Sequence, residues 1–248
     1  LHVAADWGTD PTAVERCRED LAGADLVFVS QIFLEEHIRA ILPVLTEHRE
    51  RYDALVCILS AGEIVRLTRM GRFSMGGPKA DETEGAEGPK KGAWSPIALL
   101  KRLKGEGKGG RSSGRGQMLV LKGLPKLLRF IPGPAQDVRA YFLTLQYWFA
   151  GSTENIAGLV RFLLSRYAPP GRLGIKGRID ARGPVDYPET GVYHPTIRGH
   201  RMSTDMLHLP RRPGAEGRVG LVVMRSYLLA GNTRHYDAVI EALEARNL

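Results

Sequence analysis

Hydrophobic and polar positions alternate between strand-like and helical periods in residues 1–75. The segments Asp25–Ser30 (DLVFVS) and Asp53–Ser60 (DALVCILS) are short and apolar, like strands of a parallel sheet covered on both faces. Between them, five apolar residues repeat at helical spacing: Leu34, Ile38, Ile41, Leu42 and Leu45. This β-α-β order predicts a parallel, Rossmann-like sheet with helices packed on it.

Weaker patterns complete this predicted lobe. His2–Ala5 is predicted to end a first strand, and Asp10 is predicted to cap a helix that begins at Pro11. Pro43 should kink the helix between the two apolar strands, and Ala61–Met70 is predicted to be helical. Ligands of such sheets bind at the carboxyl ends of the strands, which here lie near residues 6–10, 30–33 and 60–63.

Residues 76–116 interrupt this order. Eleven of these 41 residues are Gly, and nine Lys/Arg stand against five Asp/Glu, a net +4 within a chain of net charge +8. The segment buries too little apolar surface to offset its ordering entropy, so we expect a flexible insert, with a short helix at Trp94–Leu103 as the exception. Its sequence GEGKGG does not predict a nucleotide-binding loop, because Gly109 follows Lys108 where Ser or Thr is needed.

A helical hairpin is predicted after the insert, over residues 118–167. The predicted helices of this region are Met118–Phe130, Pro134–Ala150 and Thr153–Tyr167, of which the last two form the antiparallel hairpin, and Ser152 is expected to cap the last helix. Five aromatic residues repeat at helical spacing in the second helix: Tyr141, Phe142, Tyr147, Trp148 and Phe149. A flat macrocycle could stack on such rings, but this spacing favours packing in the core.

The remainder predicts the start of a second α/β region. Residues 168–217 contain seven Pro and are expected to be irregular, with one small strand at Val192–Tyr193. A strand at Arg218–Met224 (RVGLVVM) and a helix at Asn232–Arg246 follow. We therefore predict an α/β fold with an N-terminal domain at 1–75, the insert at 76–116, and a body that begins at 117 and continues to 248, with its strand and helix at 218–246.

Composition narrows the function classes. Two cysteines cannot form a disulfide framework, and neither they nor the seven histidines have metal-ligand spacing, so no metal site is predicted. No apolar run is long enough to cross a membrane. The net charge of +8 suggests an anionic partner, yet the basic segment lacks the interleaved aromatic residues of nucleic-acid-binding proteins, so no nucleic acid is expected.

Four residues are candidates for ligand binding. Arg225 and Ser226 follow the predicted strand 218–224, and Asn232 precedes the predicted helix, where backbone N–H groups favour an anion and Arg225 could contact a carboxylate. The alternative is a loop whose Asn232 or Thr233 caps the helix. His194 in the segment ETGVYHP could bind a carboxylate or transfer a proton, or could instead organise its own loop.

Several segments together resemble the large, porphyrin-binding subunit family of magnesium chelatase. They occur in the family's order: VFVSQIFLEEHIRAILPVL, DALVCILSAGEIVRLTRMGRFSM, DVRAYFLTLQYWFAGSTENIAGLVRFLLSRY, ETGVYHP and VGLVVMRSYLLAGNTRHYDAVIEALEARN. The part from about Leu119 onward is also similar to the large subunit of cobaltochelatase. The part before Phe73 resembles an extension specific to the chlorophyll pathway, which favours magnesium over cobalt.

The resemblance implies a function that composition does not show. The family binds protoporphyrin IX and inserts Mg²⁺ in (bacterio)chlorophyll synthesis, while two AAA+ partner subunits hydrolyse ATP. Mg²⁺ and ATP are substrates of that complex, and we expect neither bound to this chain. The family is much longer than 248 residues. We therefore expect a piece of a longer cytoplasmic protein, free or membrane-associated, whose catalytic residues lie elsewhere.

Two alternatives remain open at this point. The chain could belong to a cobaltochelatase large subunit that inserts cobalt into a corrinoid. It could also be a docking module without chemistry, whose α/β lobe and basic segment contact partner subunits. The expectation that this chain alone inserts no metal holds for both.

Overall fold

The computed structural model describes residues 1–76, 123–168, 182–197, 202–211 and 213–248. Apart from Gly76, the predicted insert lies outside the described residues, as does the first part of the helix predicted at Met118–Phe130. The chain divides into two compact units, one of Leu1–Gln146 with Val160–Ala181 and one of Tyr147–Leu159 with Arg182–Leu248.

The first unit is built around two parallel strands, β1 (Leu26–Ser30) and β2 (Ala54–Ile58), paired from Leu26 with Ala54 to Ser30 with Ile58. Every residue of β2 is buried. Helix α1 (Pro11–Gly23) precedes β1, and helix α2 (Glu35–His48) connects β1 to β2 and continues through Pro43; both helices contribute to the core beside the strands. The predicted β-α-β order is therefore confirmed.

Asp10 caps α1 as predicted. Its carboxylate accepts hydrogen bonds from the Thr12 backbone (2.9 Å) and hydroxyl (2.6 Å), and it pairs with Arg16 at 2.7 Å. These contacts, the Thr12 hydroxyl first, lower the pKa of Asp10 to about 2. The carboxylate consequently stays ionised down to strongly acidic pH.

Two predictions in this unit are wrong. Ala4–Gly8 forms a 3₁₀ helix where His2–Ala5 was expected to end a strand, because Ala4 and Trp7 pack against the core with Trp7 edge-on to His37. The helix expected over Ala61–Met70 stops early. Helix α3 covers Gly62–Arg66, and the chain then forms the short antiparallel strands β3 (Arg69–Met70) and β4 (Phe73–Ser74).

Thr68 explains this early stop. Its buried hydroxyl donates to the Cys57 carbonyl at 3.0 Å and accepts from the Cys57 N–H at 3.1 Å. These bonds hold the chain in line with β2, where β3 then pairs. The sheet order is β1-β2-β3-β4, so the sheet is mixed and only its β1–β2 pair is parallel.

The helices between residues 123 and 168 lie where they were predicted, as far as the structure describes them. Residues 123–128 are helical, α4 spans Ala135–Ala150, and α5 spans Thr153–Tyr167. Gly151, with φ +64°, ends α4, and Ser152 caps α5 by accepting the Asn155 N–H at 3.1 Å. Of the aromatic residues in α4, three are buried in the core, as expected: Tyr141, Phe142 and Tyr147.

The second unit contains a two-stranded sheet and two C-terminal helices. β5 (Val192–Tyr193), at its predicted place, pairs antiparallel with β6 (Met202–Ser203). Helices α6 (Arg225–Leu229) and α7 (Arg234–Glu244) occupy the end of the chain. The strand predicted at 218–224 is wrong for this structure, because none of the described residues pairs with that segment.

Candidate functional site

The four predicted site residues all lie in the second unit, but they have different surroundings. His194 is 8% exposed. Its Nδ1 lies 2.8 Å from the Thr196 hydroxyl, and its Nε2 lies 3.3 Å from a carboxylate oxygen of Glu244 on α7. Both ring nitrogens therefore contact protein groups that organise the loop after β5.

Tyr193 makes a parallel contact one residue earlier. Its hydroxyl donates to the carboxylate of Asp237, also on α7. Asp237 and Glu244 are seven residues apart, which is about two helical turns, so they share one face of α7. Tyr193 and His194 thus anchor β5 along this face, which favours the loop-organising interpretation of His194.

Sequence reasoning missed the two carboxylates that receive these residues. A signal was available, because Asp237 and Glu244 are acidic residues at a seven-residue spacing in a strongly amphipathic helix. Nothing local, however, indicates that a tyrosine and a histidine more than 40 positions earlier would meet them.

Arg225 lies at the start of α6 and is half-buried. Its Nε donates to the Pro188 carbonyl at 2.6 Å, and its Nη2 donates to the Tyr187 carbonyl at 3.2 Å. The guanidinium therefore fixes the extended chain that leads to β5. This position differs from the open carboxylate contact expected from the sequence.

Ser226 and Asn232 are exposed, as a ligand-contacting role requires. Asn232 does not cap α7. Thr233 occupies the N-cap position, but its hydroxyl donates to the Asp237 carboxylate at 3.0 Å and does not cap a backbone N–H of the helix. Neither side chain therefore caps α7 by a hydrogen bond, as the alternative interpretation required.

Three rings lie beside Ser226 and Asn232 in the chain. Tyr227 and His235 meet edge to face with centroids 5.3 Å apart, and His235 lies 3.9 Å from Tyr236. Tyr227 is 39% exposed, and His235 and Arg234 are also exposed. We call Ser226, Tyr227, Asn232, Arg234 and His235 the aromatic surface. It combines ring faces, hydrogen-bonding groups and a cation, which suits a flat molecule that carries carboxylates.

The carboxyl ends of β1 and β2 have a different character. Gln31 (φ 63°) and Leu59 (φ 44°) both adopt left-handed backbone conformations, and the Gln31 N–H donates to the Leu59 carbonyl at 3.0 Å. Phe33 and Leu34 are 61% and 56% exposed. This edge of the sheet is therefore apolar and strained, and it suits contact with another protein better than acid–base chemistry.

Neither metal binding nor thiol chemistry is indicated in the described part of the chain. Among those residues, no group of three His, Cys, Asp or Glu could hold a metal ion. Burial raises the pKa of Cys57 to about 12 and also raises that of Cys17, so neither thiol is activated. None of the described helices is long and apolar enough to cross a membrane.

Comparison with known families divides the chain inside α4. Residues 1–142 match the family described as "Domain of unknown function (DUF3479)", which is more than half of the chain. The chain belongs to the DUF3479 family. Residues 145–248 match the family described as "CobN/Magnesium Chelatase". These two matches cover the segments whose order suggested a chelatase large subunit.

Three curated relatives that align with nearly the whole chain are all named as magnesium-chelatase subunits. All 248 residues align with the large (H) subunit of the magnesium chelatase of Cereibacter sphaeroides at 44% identity and with that of Rhodobacter capsulatus at 41%. The chloroplastic magnesium-chelatase protein ChlH of Oryza sativa subsp. indica is 32% identical over 243 residues. The resemblance to the magnesium chelatase large subunit is confirmed. The chain spans 19% of the length of each bacterial relative named here and 16% of the rice protein.

Proposed function

We propose that this chain is part of the large, porphyrin-binding subunit of a magnesium chelatase. The complete complex would insert Mg²⁺ into protoporphyrin IX on the way to chlorophyll or bacteriochlorophyll. The observation that carries the proposal is 44% identity over all 248 residues to a protein named as a magnesium-chelatase large subunit. The curated relatives named above are magnesium chelatases, which favours magnesium over the cobalt alternative.

The proposal assigns the chemistry to other parts of the complex. Two AAA+ partner subunits would hydrolyse ATP, and Mg²⁺ and ATP would be substrates that this chain does not bind by itself. The metal-inserting residues would lie in the rest of the large subunit, in the cytoplasm.

Within this chain, we propose that the aromatic surface contacts the porphyrin. The ring of Tyr227 would stack on the macrocycle, while Ser226, Asn232 and Arg234 would bind its propionates. Arg225 and His194 remain candidates in a different role. Their contacts with the 187–188 carbonyls and with Glu244 make them positioning residues that hold the surface in place.

Porphyrin binding can be tested by quenching of the chain's tryptophan fluorescence with protoporphyrin IX. Tyr227→Ala and Arg234→Ala should each weaken binding several-fold, since each removes a contact worth about 1 kcal/mol. Thr204→Ala, at another exposed position in the second unit, is the matched control and should bind normally. Unchanged affinity in both test variants would remove the aromatic surface from the porphyrin site.

Magnesium insertion tests the division of chemistry. The 248-residue chain, mixed with both partner subunits, ATP, Mg²⁺ and protoporphyrin IX, should form no Mg-porphyrin. A chimera in which this chain replaces the matching fifth of the Cereibacter sphaeroides large subunit should form it. Turnover by the chain alone would show that the metal-inserting residues are present here. An inactive, folded chimera would count against the proposed function.

A docking function is the second candidate, and the apolar edge at Phe33, Leu34 and Leu59 favours it. Such an edge fits contact with a partner subunit. Phe33→Asp should then reduce capture of the AAA+ subunits by the chimera, while Val160→Asp, at another exposed apolar position, should not. Equal capture by both variants would exclude this edge as the docking surface.

A further inference from the structure

Residues 218–224 (RVGLVVM) are apolar but exposed on both sides. Val219 and Leu221 are 53% and 41% exposed, and Val222 and Met224 are 97% and 61% exposed. Successive residues of a strand point to opposite faces, so as a strand this segment would carry uncovered apolar side chains on both faces. That pattern is typical of a central strand whose sheet has helices on both sides.

This segment also has no neighbouring strand among the described residues. In the part of the chain that the structure describes, residues 217–223 form no backbone–backbone hydrogen bond. The segment is rich in valine and contains no proline, which suits it to strand pairing. An apolar segment with unpaired N–H and C=O groups is a template for another strand.

Contacts at both ends place the segment alongside α7. The Glu216 N–H donates to the Asn247 carbonyl at 2.8 Å, and the Met224 N–H donates to the Tyr236 hydroxyl at 3.2 Å. The segment and α7 therefore run in opposite directions, as the strand and helix of a β-α-β unit do. Helix α7 is amphipathic, yet none of its residues is fully buried, and Val239 is 43% exposed.

We propose that residues 218–224 form a strand of a parallel sheet, completed by a neighbouring strand from the rest of the large-subunit polypeptide. The relatives are about five times longer than this chain, so they contain ample sequence to supply it. A right-handed crossover through α7 leads directly to a parallel neighbour. The identity of this occupant rests on the proposed function.

A second copy of the chain would fit this segment less well. Two copies related by a twofold axis would pair their 218–224 segments antiparallel and satisfy one edge of each. The apolar faces at Val219 and Val222 would stay uncovered, because both need packing from elements outside the pair. Further strands and helices of one long polypeptide would pair with the backbone of this segment and would also cover its apolar side chains.

Hydrogen exchange measured by mass spectrometry tests the proposal on two proteins, the 248-residue chain and the chimera described above. Amides of residues 219–223 should exchange quickly in the chain and at least about tenfold more slowly in the chimera. Amides of β2 serve as the internal reference and should exchange equally slowly in both. Val222→Asp should abolish the added protection in the chimera, while Val160→Asp, at another exposed valine, should preserve it.

Equally fast exchange of residues 219–223 in both proteins would overturn the proposal. Protection already present in the chain alone, together with a dimer mass by light scattering, would identify a second copy as the occupant and would overturn it as well. The result is independent of catalysis. Protection in an inactive chimera would support the strand while counting against the proposed function, and turnover without protection would do the reverse.

Discussion

Asp137 on α4 accepts a hydrogen bond from Arg166 on α5, with 3.1 Å between Oδ1 and Nη2. The same oxygen accepts from the Tyr167 hydroxyl at 3.0 Å, and Oδ2 accepts from the Arg72 backbone N–H at 3.0 Å. Burial raises the pKa of Tyr167 far above its usual range, so its hydroxyl stays protonated and donates. One carboxylate thereby joins the two helices to the turn between β3 and β4.

Replacing this carboxylate should destabilise the first unit. Asp137→Asn keeps the size but removes the charge that faces Arg166, and we expect the free energy of unfolding to fall by about 1–3 kcal/mol. Asp20→Asn is the matched control, because Asp20 pairs with His2 at the surface, where such pairs contribute less than about 1 kcal/mol. Urea unfolding curves of both variants would measure this, and equal losses would contradict a special role for Asp137.

The turn beside Asp137 depends on a glycine. Gly71 has φ +57°, and a Cβ there would lie 2.7 Å from Oδ2 of Asp137. Gly71→Ala should therefore lower the unfolding free energy by about 1–3 kcal/mol, through backbone strain and displacement of the carboxylate. Gly62→Ala is the control, since its nearest neighbour is the flexible end of Arg66 at 4.0 Å. A Gly71→Ala protein as stable as the parent would show that this turn tolerates a side chain.

The Thr68 side chain takes the place of a neighbouring strand at Cys57, which lies beyond the residues of β2 that pair with β3. Thr68→Val keeps the shape but leaves the buried N–H and C=O of Cys57 without their partner, at a cost of about 1–3 kcal/mol. Thr68→Ser should retain most of the stability. Thr46→Val, at an exposed position of α2, should change stability by less than about 0.5 kcal/mol. Thermal unfolding of the three variants would separate the hydrogen bonds from the loss of a hydroxyl alone.

The elements that were predicted correctly are those whose sequence signal lies within the element itself. The apolar runs of β1 and β2, the period of α2 and the Ser152 cap of α5 are of this kind. β3 and β4 could not be predicted, because they depend on Thr68 reaching back to Cys57 and on Gly71 fitting against Asp137 from α4. The segment 218–224 shows the opposite case. Its composition predicts a strand, but a strand also needs a neighbour, and none of the described residues provides one.

The predicted site residues differ in their surroundings in ways that the sequence does not show. Ser226 and Asn232 are exposed, as a ligand-contacting role requires. The half-buried guanidinium of Arg225, in contrast, donates to two backbone carbonyls. The sequence shows a cation beside a predicted helix and cannot show that distant carbonyls already occupy it. The role of all four candidates in porphyrin binding stays a prediction.

The contact of His194 with Glu244 leads to a prediction about loop order. His194→Ala and Glu244→Gln should each speed hydrogen exchange in residues 192–197 by several-fold, because each weakens the same link between β5 and α7. The double variant should add little to either single change, since the two residues act through one contact. Glu241→Gln, at an exposed position of α7, is the control. Additive effects in the double variant would show that His194 and Glu244 order the loop independently.

The two buried thiols provide a test of the core and of its pH dependence. Iodoacetamide at pH 8 should modify neither Cys17 nor Cys57 in the folded chain and both in urea, since burial keeps both protonated. The folded-state pKa of Cys57, about 12, exceeds its ordinary value of 9.0, so its contribution to stability is complete below pH 9 and declines as pH rises toward 12. Cys57→Ala should therefore lose less stability than the parent between pH 8 and 10.5 in urea titrations. An identical loss in both proteins, or rapid alkylation of the folded chain, would show that Cys57 is more accessible than its position in β2 indicates.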